Sequence, residues 1–402
     1  MCAPVPSPKR LLPLLVCLLL TYGAACAQQQ PSRCALLTCS PGVDAYTLFG
    51  HTALRVQGPH FDLVFNYGQF SFQSEHFIYR FVKGLTDYEL GVEDYQRFVG
   101  RYTKRGFTVW EQELQLTAAE RERLLALLLT NCEPENRVYR YNFLYDNCTT
   151  RALLVIEQAR GHALDFSASA DTLPLTHRQI LHSLTRPRPW LAFGIDMVLG
   201  QEVDRPLVDS LWRQRLFIPE RLAAALRTTS LMGAEVVHEP EGTMEQAGEF
   251  PIPPHSVALL LLFAAIAVSW HERKYGQAMN RTGCVMDVTL HLLQGAAGVV
   301  VAFLFFLSEH PAVGSNWLVV CLNPLAFVLV AQDLRLRLAK KPLWRVGRWD
   351  VVETVNLAAT AGLFVASFLS GQWIHPAMRT MALILVIRSM THLTSYTQQY
   401  ER

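Results

Sequence analysis

From residue 252 onward the chain runs in five apolar stretches, 252–270, 284–307, 317–332, 351–370 and 376–394, separated by short polar connections. Each is near the roughly 20 residues a helix needs to cross the hydrocarbon core of a bilayer, where the backbone must satisfy its own hydrogen bonds. An all-α membrane domain of about five helices is therefore expected over 252–402. The connections set its orientation. Residues 271–283 carry Arg273, Lys274 and Arg281, and 333–350 carry Arg335, Arg337, Lys340, Lys341, Arg345 and Arg348, whereas 308–316 and 371–375 contain no Lys or Arg. Cationic loops stay on the cytoplasmic side, which places residue 251 and everything before it outside. The last stretch is the weakest span, and its Arg379 and Arg388 are expected to snorkel to opposite interfaces. Asp287 and His291 share a helix face at i, i+4, and with Asn323, Glu353 and Asn356 they are read as groups that join helices rather than carry an ion.

The N-terminal pattern is different. Lys9 and Arg10 precede an apolar run, Leu11 to Leu20, which ends in small residues at Ala25-Cys26-Ala27. That is the layout of an export signal over 1–27, cleaved before Gln28. Residues 28–231 then read as an ordinary globular domain. Positions 47–56 and 60–67 alternate around Gly58-Pro59 and predict an antiparallel hairpin, and 107–116 predicts another strand. Thr117 followed by Glu120 is a capping box that opens a helix to about Asn131, and a second helix follows Cys148. The apolar stretch 186–200 is too short to span and reads as a buried helix or a surface dipping into lipid. Residues 232–251, rich in Glu, Gly and Pro, read as a linker to the membrane.

Composition narrows the function classes. Half of the residues are apolar and 17% are charged, with the apolar excess concentrated after Pro251. The formal net charge is +2, and no Lys/Arg block is interleaved with aromatics, so nucleic acid is not an expected partner. No glycine-rich phosphate loop, no Gly-x-Ser-x-Gly elbow and no zinc-type ligand spacing occurs, so neither cofactor nor metal is expected. Nine cysteines reduce to six after the signal: Cys34, Cys39, Cys132, Cys148, Cys284 and Cys321. The last two lie in apolar spans as small core residues. Pairings among Cys34, Cys39 and Cys132 are all open in an oxidising compartment.

One constellation suggests chemistry. In the run from Tyr141 to Arg151, Asp146-Asn147 hands over to a helix, which puts Cys148 at its first turn. Unpaired backbone N–H groups and the positive dipole end favour a thiolate there, and the same N–H groups suit an oxyanion. A buried inert cysteine is the plainer reading of the residue alone. The second element is Phe49-Gly50-His51-Thr52-Ala53-Leu54-Arg55. With the hairpin centred on Gly58-Pro59, paired residue numbers sum to 117, so His51 faces Asn66 and Arg55 faces Asp62. A strand histidine with an amide or carboxylate opposite is the arrangement that orients an imidazole toward a thiol. Asn66 is the first choice for that role; Asp62 serves with a shifted register, or only pairs with Arg55. His60 and His76 are secondary candidates.

These residues resemble a known family. Phe49 to Arg55, Asp62 to Gly68, Asn131, Asn136-Arg137 and Asn147 to Arg151 are similar to the Lnb family of bacterial lipoprotein N-acyltransferases, and so are Asp287, Gly295, Ser308 to Pro311, Asn316 and Asn323-Pro324 in the membrane part. The resemblance covers nearly the whole mature chain. It implies an α+β, permuted papain-like (NlpC-like) domain, also similar to lecithin-retinol acyltransferase, in which the histidine strand precedes the cysteine helix. It implies a multi-pass protein of the bacterial inner membrane with its catalytic domain in the periplasm. The implied activity is acyl transfer from a membrane phospholipid, through a Cys148 thioester, to the α-amino group of the lipid-modified N-terminal cysteine of a diacylated lipoprotein. Under this reading Cys148, His51, Asn66 and Asp62 are catalytic. Asn147, Arg151, Tyr141, Arg55, Tyr67, His310 and Asn316 bind substrate, with Trp317 near the outer interface beside a lateral lipid path. Two other classes fit the residues: a membrane-anchored NlpC-like cysteine peptidase or amidase acting on the cell wall, and a non-catalytic envelope scaffold.

Overall fold

The structure is a computed structural model that describes residues 31–44, 46–71, 73, 75–166, 175–244, 248–275, 281–339 and 349–400. The export signal expected at 1–27 and the basic residues Lys340, Lys341, Arg345 and Arg348 lie outside the described residues. The chain divides into two compact units, Met1–Glu75 with Thr86–Leu173 and Val208–Ala247, and His76–Leu85 with Pro174–Leu207 and Gly248–Arg402.

The first unit is built on an antiparallel sheet of seven strands: β1 (Arg33–Cys39), β2 (His51–Gln57), β3 (Asp62–Gln69), β4 (Asp87–Asp94), β5 (Val109–Leu114), β6 (Val138–Arg140) and β7 (Met232–His238). Their order is β6-β4-β3-β2-β1-β5-β7. β7 pairs with β5, so the stretch read as a linker contributes an edge strand. The central strands are buried on both faces. Leu36, Leu54, Val56 and Phe65 pack under the helices Ala118–Cys132, Cys148–Arg160 and Pro219–Leu226, while Leu37, Ala53 and Val64 pack against Tyr95, Phe98 and Val99 of the helix Tyr95–Thr103. Each large apolar side chain buried this way contributes roughly 1.5–3 kcal/mol. The capping box is present, Thr117 Oγ1 accepting from Glu120 N, and its helix ends at Cys132.

The hairpin departs from its predicted register. Leu54 pairs with Phe65, Val56 with Leu63 and Gln57 with Asp62, a sum of 119 rather than 117, because Gly58 N donates to Phe61 O across a wider turn. A slip of two residues leaves every side chain on its expected face, since strand side chains repeat every second residue. Pairs expected to be directly opposite become diagonal neighbours, still within reach of long side chains.

The described cysteines form no disulfide with one another. Cys34 and Cys39 are five apart on β1 and point to opposite faces, one into each core, so they cannot pair. Cys284 and Cys321 are buried among the helices of the second unit, as expected.

Among the described residues of the second unit four helices are long and apolar enough to cross a membrane: Pro254–Tyr275, Arg281–Leu307, the run Leu318–Arg335 and Val351–Leu369. The fifth expected span forms the helix Pro376–Tyr400, which packs along Pro254–Tyr275 and Trp349–Leu369 but is too polar to count with the four. Its Arg388 does not snorkel. It is 1% exposed, and its Nε and Nη2 donate to Asp287 at 2.7 and 2.8 Å while Nη1 donates to Glu272 Oε2 at 2.8 Å and Ser269 Oγ at 2.9 Å. His392 bridges Asp287 and Glu353 at 3.0 and 3.1 Å, and His291 Nδ1 lies 2.9 Å from Asp333 Oδ2. Asp287 and His291 thus join helices, because buried charge in an apolar medium is tolerable only when paired. The stretch around 186–200 forms the helix Pro189–Val198, mostly half-buried and set against Pro254–Tyr275 and Arg281–Leu307.

Candidate active site

The site begins with a helix cap. Asn147 is extended, so its Oδ1 accepts from Thr149 N at 2.8 Å and Thr150 N at 2.9 Å, and Thr150 Oγ1 accepts in turn from Asn147 N at 2.8 Å. Its Nδ2 donates to Phe143 O and Phe217 O at 2.7 and 2.9 Å. Cys148 is thereby the first helical residue, at the positive end of the dipole. Two of the N–H groups expected to serve an oxyanion are engaged by this cap; the Cys148 N–H has no acceptor among the described residues and remains available. Asn147, expected to contact substrate, has both polar atoms of its side chain engaged in this cap and in the two loop carbonyls. Asn147→Ala is expected to lower unfolding free energy by about 1–2 kcal/mol, seen as a reduced melting temperature.

His51 reaches the sulfur because two strands part. β2 and β3 are paired from Leu54 to Gln57, but β3 carries a register shift between Asn66 and Gln69, with Gly68 at φ +88°. Such irregularities bend a strand and free its neighbour. The start of β2 is left without a ladder partner on that side, and the Thr52 N–H hydrogen-bonds the sulfur instead. A Cβ on Gly68 would lie 3.7 Å from the Cys148 Cβ, which locates the thiol in this opening. His51 stands on the Ala53 face of the sheet and Cys148 on the helix face, and the two side chains hydrogen-bond through the gap.

The electrostatics follow from that contact. Burial opposes ionisation of the Cys148 thiol, but the His51 charge, its hydrogen bond, the Thr52 N–H and the Thr149 hydroxyl outweigh it and lower the pKa. Burial likewise opposes a charged His51, yet the Cys148 thiolate and the bond to Asn66 raise it. The two shifts widen the pH window of a thiolate–imidazolium pair, since the thiolate survives to lower pH and the imidazolium to higher pH. Alkylation of Cys148 by iodoacetamide is expected to stay fast to lower pH than that of an ordinary thiol, since its pKa is lowered. In His51→Ala the midpoint should rise to or above that of an ordinary thiol; an unmoved midpoint would contradict the pairing.

Asn66 fixes the imidazole. Its Oδ1 lies 2.5 Å from His51 Nε2, and its Nδ2 donates to Glu93 Oε1 at 3.3 Å. An ionised carboxylate only accepts, so the amide must turn its NH2 toward Glu93 and its oxygen toward His51. Nε2 therefore carries a proton, and Nδ1 is the nitrogen left for the sulfur. Glu93 is held by Arg101 Nη2 at 2.5 Å, and the His51 ring is stacked on Tyr102 with centroids 6.1 Å apart. Glu93 lies on β4, and Arg101 and Tyr102 lie on the helix Tyr95–Thr103 that follows it; nothing in the spacing of the three along the chain marks them as a set. Asn66→Ala is expected to lower kcat roughly tenfold or more with a smaller change in KM, measured by steady-state kinetics.

The other predicted residues are distributed more widely. Asp62 does not orient His51: its carboxylate receives Arg55 Nε and Nη2 at 2.8 and 2.6 Å, and Arg55 Nη1 donates to Glu111 at 2.7 Å. Tyr67 is 1% exposed and its hydroxyl accepts from Asn131 Nδ2, which makes it a core residue. Arg151 pairs with Asp146 and lies over the Tyr139 ring. Tyr141 stays beside the sulfur, stacked on Tyr88 at 4.1 Å, and burial followed by the negative Cys148 keeps its phenol protonated. His60 sits in the β2–β3 turn. In the second unit His310 Nε2 bonds Phe81 O, beside Ser308 Oγ to Val82 O and Glu309 N to Lys83 O, closing the end of the helix Phe77–Lys83. Asn316 is buried, with Nδ2 donating to Met197 O and Oδ1 accepting from Leu318 N and Gln372 Nε2.

No curated protein and no solved structure matches the chain. Two family models do. One, described as the Lnb N-terminal periplasmic domain, matches residues 24–183 and contains His51, Asn66 and Cys148. The other, described as the Lnb transmembrane domain, matches residues 245–399 and contains the apolar helices. With both domains present in that order over most of its length, the chain belongs to the Lnb family.

Proposed function

We propose that this protein is a thiol-dependent acyltransferase that moves an acyl chain from a membrane phospholipid to the α-amino group of the lipid-modified N-terminal cysteine of a lipoprotein. The observation that carries the reading is the hydrogen-bonded Cys148–His51–Asn66 array at a helix N-terminus. In the first half-reaction the Cys148 thiolate attacks the ester carbonyl, with the Cys148 N–H available to the developing oxyanion. The carbon–oxygen ester bond breaks, the His51 imidazolium gives its proton to the leaving alkoxide, and a lysophospholipid departs from the thioester. In the second half the amine attacks the thioester, His51 takes a proton from the nitrogen, and the thiolate leaves as the amide forms. Proton and electron pairs balance without a further reactant.

A histidine strand followed by a cysteine helix, set against an antiparallel sheet, supports a permuted papain-like reading of the first unit. Four helices long and apolar enough to span support a multi-pass location, and we place the protein in the bacterial inner membrane with the thiol unit in the periplasm. Both substrates are lipids, so confinement to the bilayer removes much of the encounter cost of the reaction. The test is intact mass spectrometry of the purified full-length protein incubated with phospholipid vesicles, then with a diacylated lipopeptide. An acyl mass on Cys148 that transfers to the lipopeptide amine is expected. Hydrolysis of cell-wall peptides without any acyl-enzyme would instead establish the peptidase or amidase reading.

A further inference from the structure

Beside His51 the first unit holds a cavity of about 560 Å³ whose lining includes His51, Asn66, Glu93, Arg97, Arg101 and Arg105. The three arginines recur every fourth residue, along the helix Tyr95–Thr103 and the turn that follows it, so they rise on one side of the cavity. Their situations differ. Arg101 is tied to Glu93 and through it to Asn66 and His51. Arg97 and Arg105 are exposed and have no carboxylate partner among the described residues, although Arg105 lies over the Phe107 ring with 5.2 Å to its centroid. Three guanidinium groups against the single carboxylate of Glu93 leave the lining with a net positive charge.

We propose that this cavity is the headgroup subsite of the acyl donor, in which Arg97 and Arg105 hold the phosphodiester of a glycerophospholipid. The inference rests on the acyl-transfer reading above and names what it leaves open: a feature by which donor is told from acceptor. A phosphodiester is an oxyanion with a fixed negative charge, and guanidinium groups bind such oxygens with paired, charge-assisted hydrogen bonds. The acceptor's reacting end is an amine and its acyl chains are neutral esters, so neither is drawn to this wall. Seating the phosphodiester here brings the glycerol esters to the side of the cavity that His51 occupies. Arg101, already engaged by Glu93, acts as a positioning residue that couples the wall to the imidazole.

Binding and turnover test it separately. The full-length Cys148→Ala protein in uncharged detergent is titrated with glycerophosphoglycerol, the water-soluble deacylated headgroup, and with inorganic phosphate. The headgroup is expected to bind more tightly than phosphate, and Arg97→Gln/Arg105→Gln to weaken it roughly tenfold or more. Both side chains are exposed, so the double variant keeps the fold. Affinity for phosphate equal to that for the headgroup, or an unchanged headgroup affinity in the double variant, overturns the proposal. In the active protein, kcat/KM for thioester formation is compared between phosphatidylglycerol and the neutral diacylglycerol of the same chains. That ratio should fall roughly tenfold in the double variant and fall also with rising salt in the parent. A thioester that forms with the ratio unchanged sinks the subsite alone, whereas headgroup binding without any thioester sinks the acyltransferase reading and, with it, the role of the cavity as a donor subsite.

Discussion

Cys148→Ala is expected to fold and insert like the parent, to accumulate no acyl-enzyme, and to transfer acyl chains at least about 10⁴-fold more slowly. Two consequences of the substitution have to be weighed. Removing one buried sulfur costs stability on the order of 1 kcal/mol, a minor loss beside a cap that survives it, because the Asn147 bonds to Thr149, Thr150, Phe143 and Phe217 do not involve the sulfur. The chemical loss is larger by far, since the sulfur that the His51 charge and hydrogen bond keep ionised is gone. Cys148→Ser separates the two effects further: it keeps the volume, but a hydroxyl has no accessible anion at neutral pH, so it should be as inactive as alanine. The checks are the intact mass of the protein after exposure to phospholipid, and the mass of a lipoprotein N-terminus from cells carrying each variant. A third acyl chain at the parental level in the Cys148→Ala cells would refute the thioester route.

Arg388→Ala should be the most damaging single substitution in the membrane unit. The guanidinium makes four hydrogen bonds to Asp287, Glu272 and Ser269, and its removal leaves Asp287 and Glu272 buried with His392 as the remaining partner of Asp287. Breaking a buried pair from one side costs about 3–5 kcal/mol, because a desolvated charge is left uncompensated. The network joins Pro254–Tyr275, Arg281–Leu307, Trp349–Leu369 and Pro376–Tyr400, so the loss should loosen all four helices together. Thermal unfolding in one detergent, followed by size exclusion, measures it. Replacing the cluster with apolar side chains, Glu272→Leu/Asp287→Leu/Arg388→Met, should recover much of the stability, since what is expensive is an unpaired charge and not the absence of the pair. A melting temperature for Arg388→Ala within a degree or two of the parent would show that the network contributes little.

Several features were legible because they are local. The cap at Asn147, the capping box at Thr117 and the first-turn position of Cys148 depend on residues within four positions of one another, and hydrogen bonds of that range follow from the sequence. The face of His51 and Asn66 was legible although the register was not, because an even slip preserves strand parity. What failed was non-local. The polar Glu, Gly and Pro pattern of 232–251 hid a strand, since Met232–His238 is an exposed edge that gains its ladder from β5. Arg388 looked like an interfacial residue because its partners lie more than a hundred positions away on other helices.

By itself the sequence determined the elements that carry the chemistry and the medium they work beside: a cysteine opening a helix, a histidine on a strand, and apolar helices long enough to span. Those properties follow from period, capping and hydropathy, which act over a few residues. Only the tertiary structure decided that β2 and β3 part at Gly68 so that imidazole and sulfur meet through the sheet. Only there do Glu93 and Arg101, from a strand and helix with no motif of their own, hold Asn66 in the orientation that sets the proton on His51. Strand order and register are settled by which buried surfaces fit together across the whole unit, and that competition leaves no mark in any short stretch of chain.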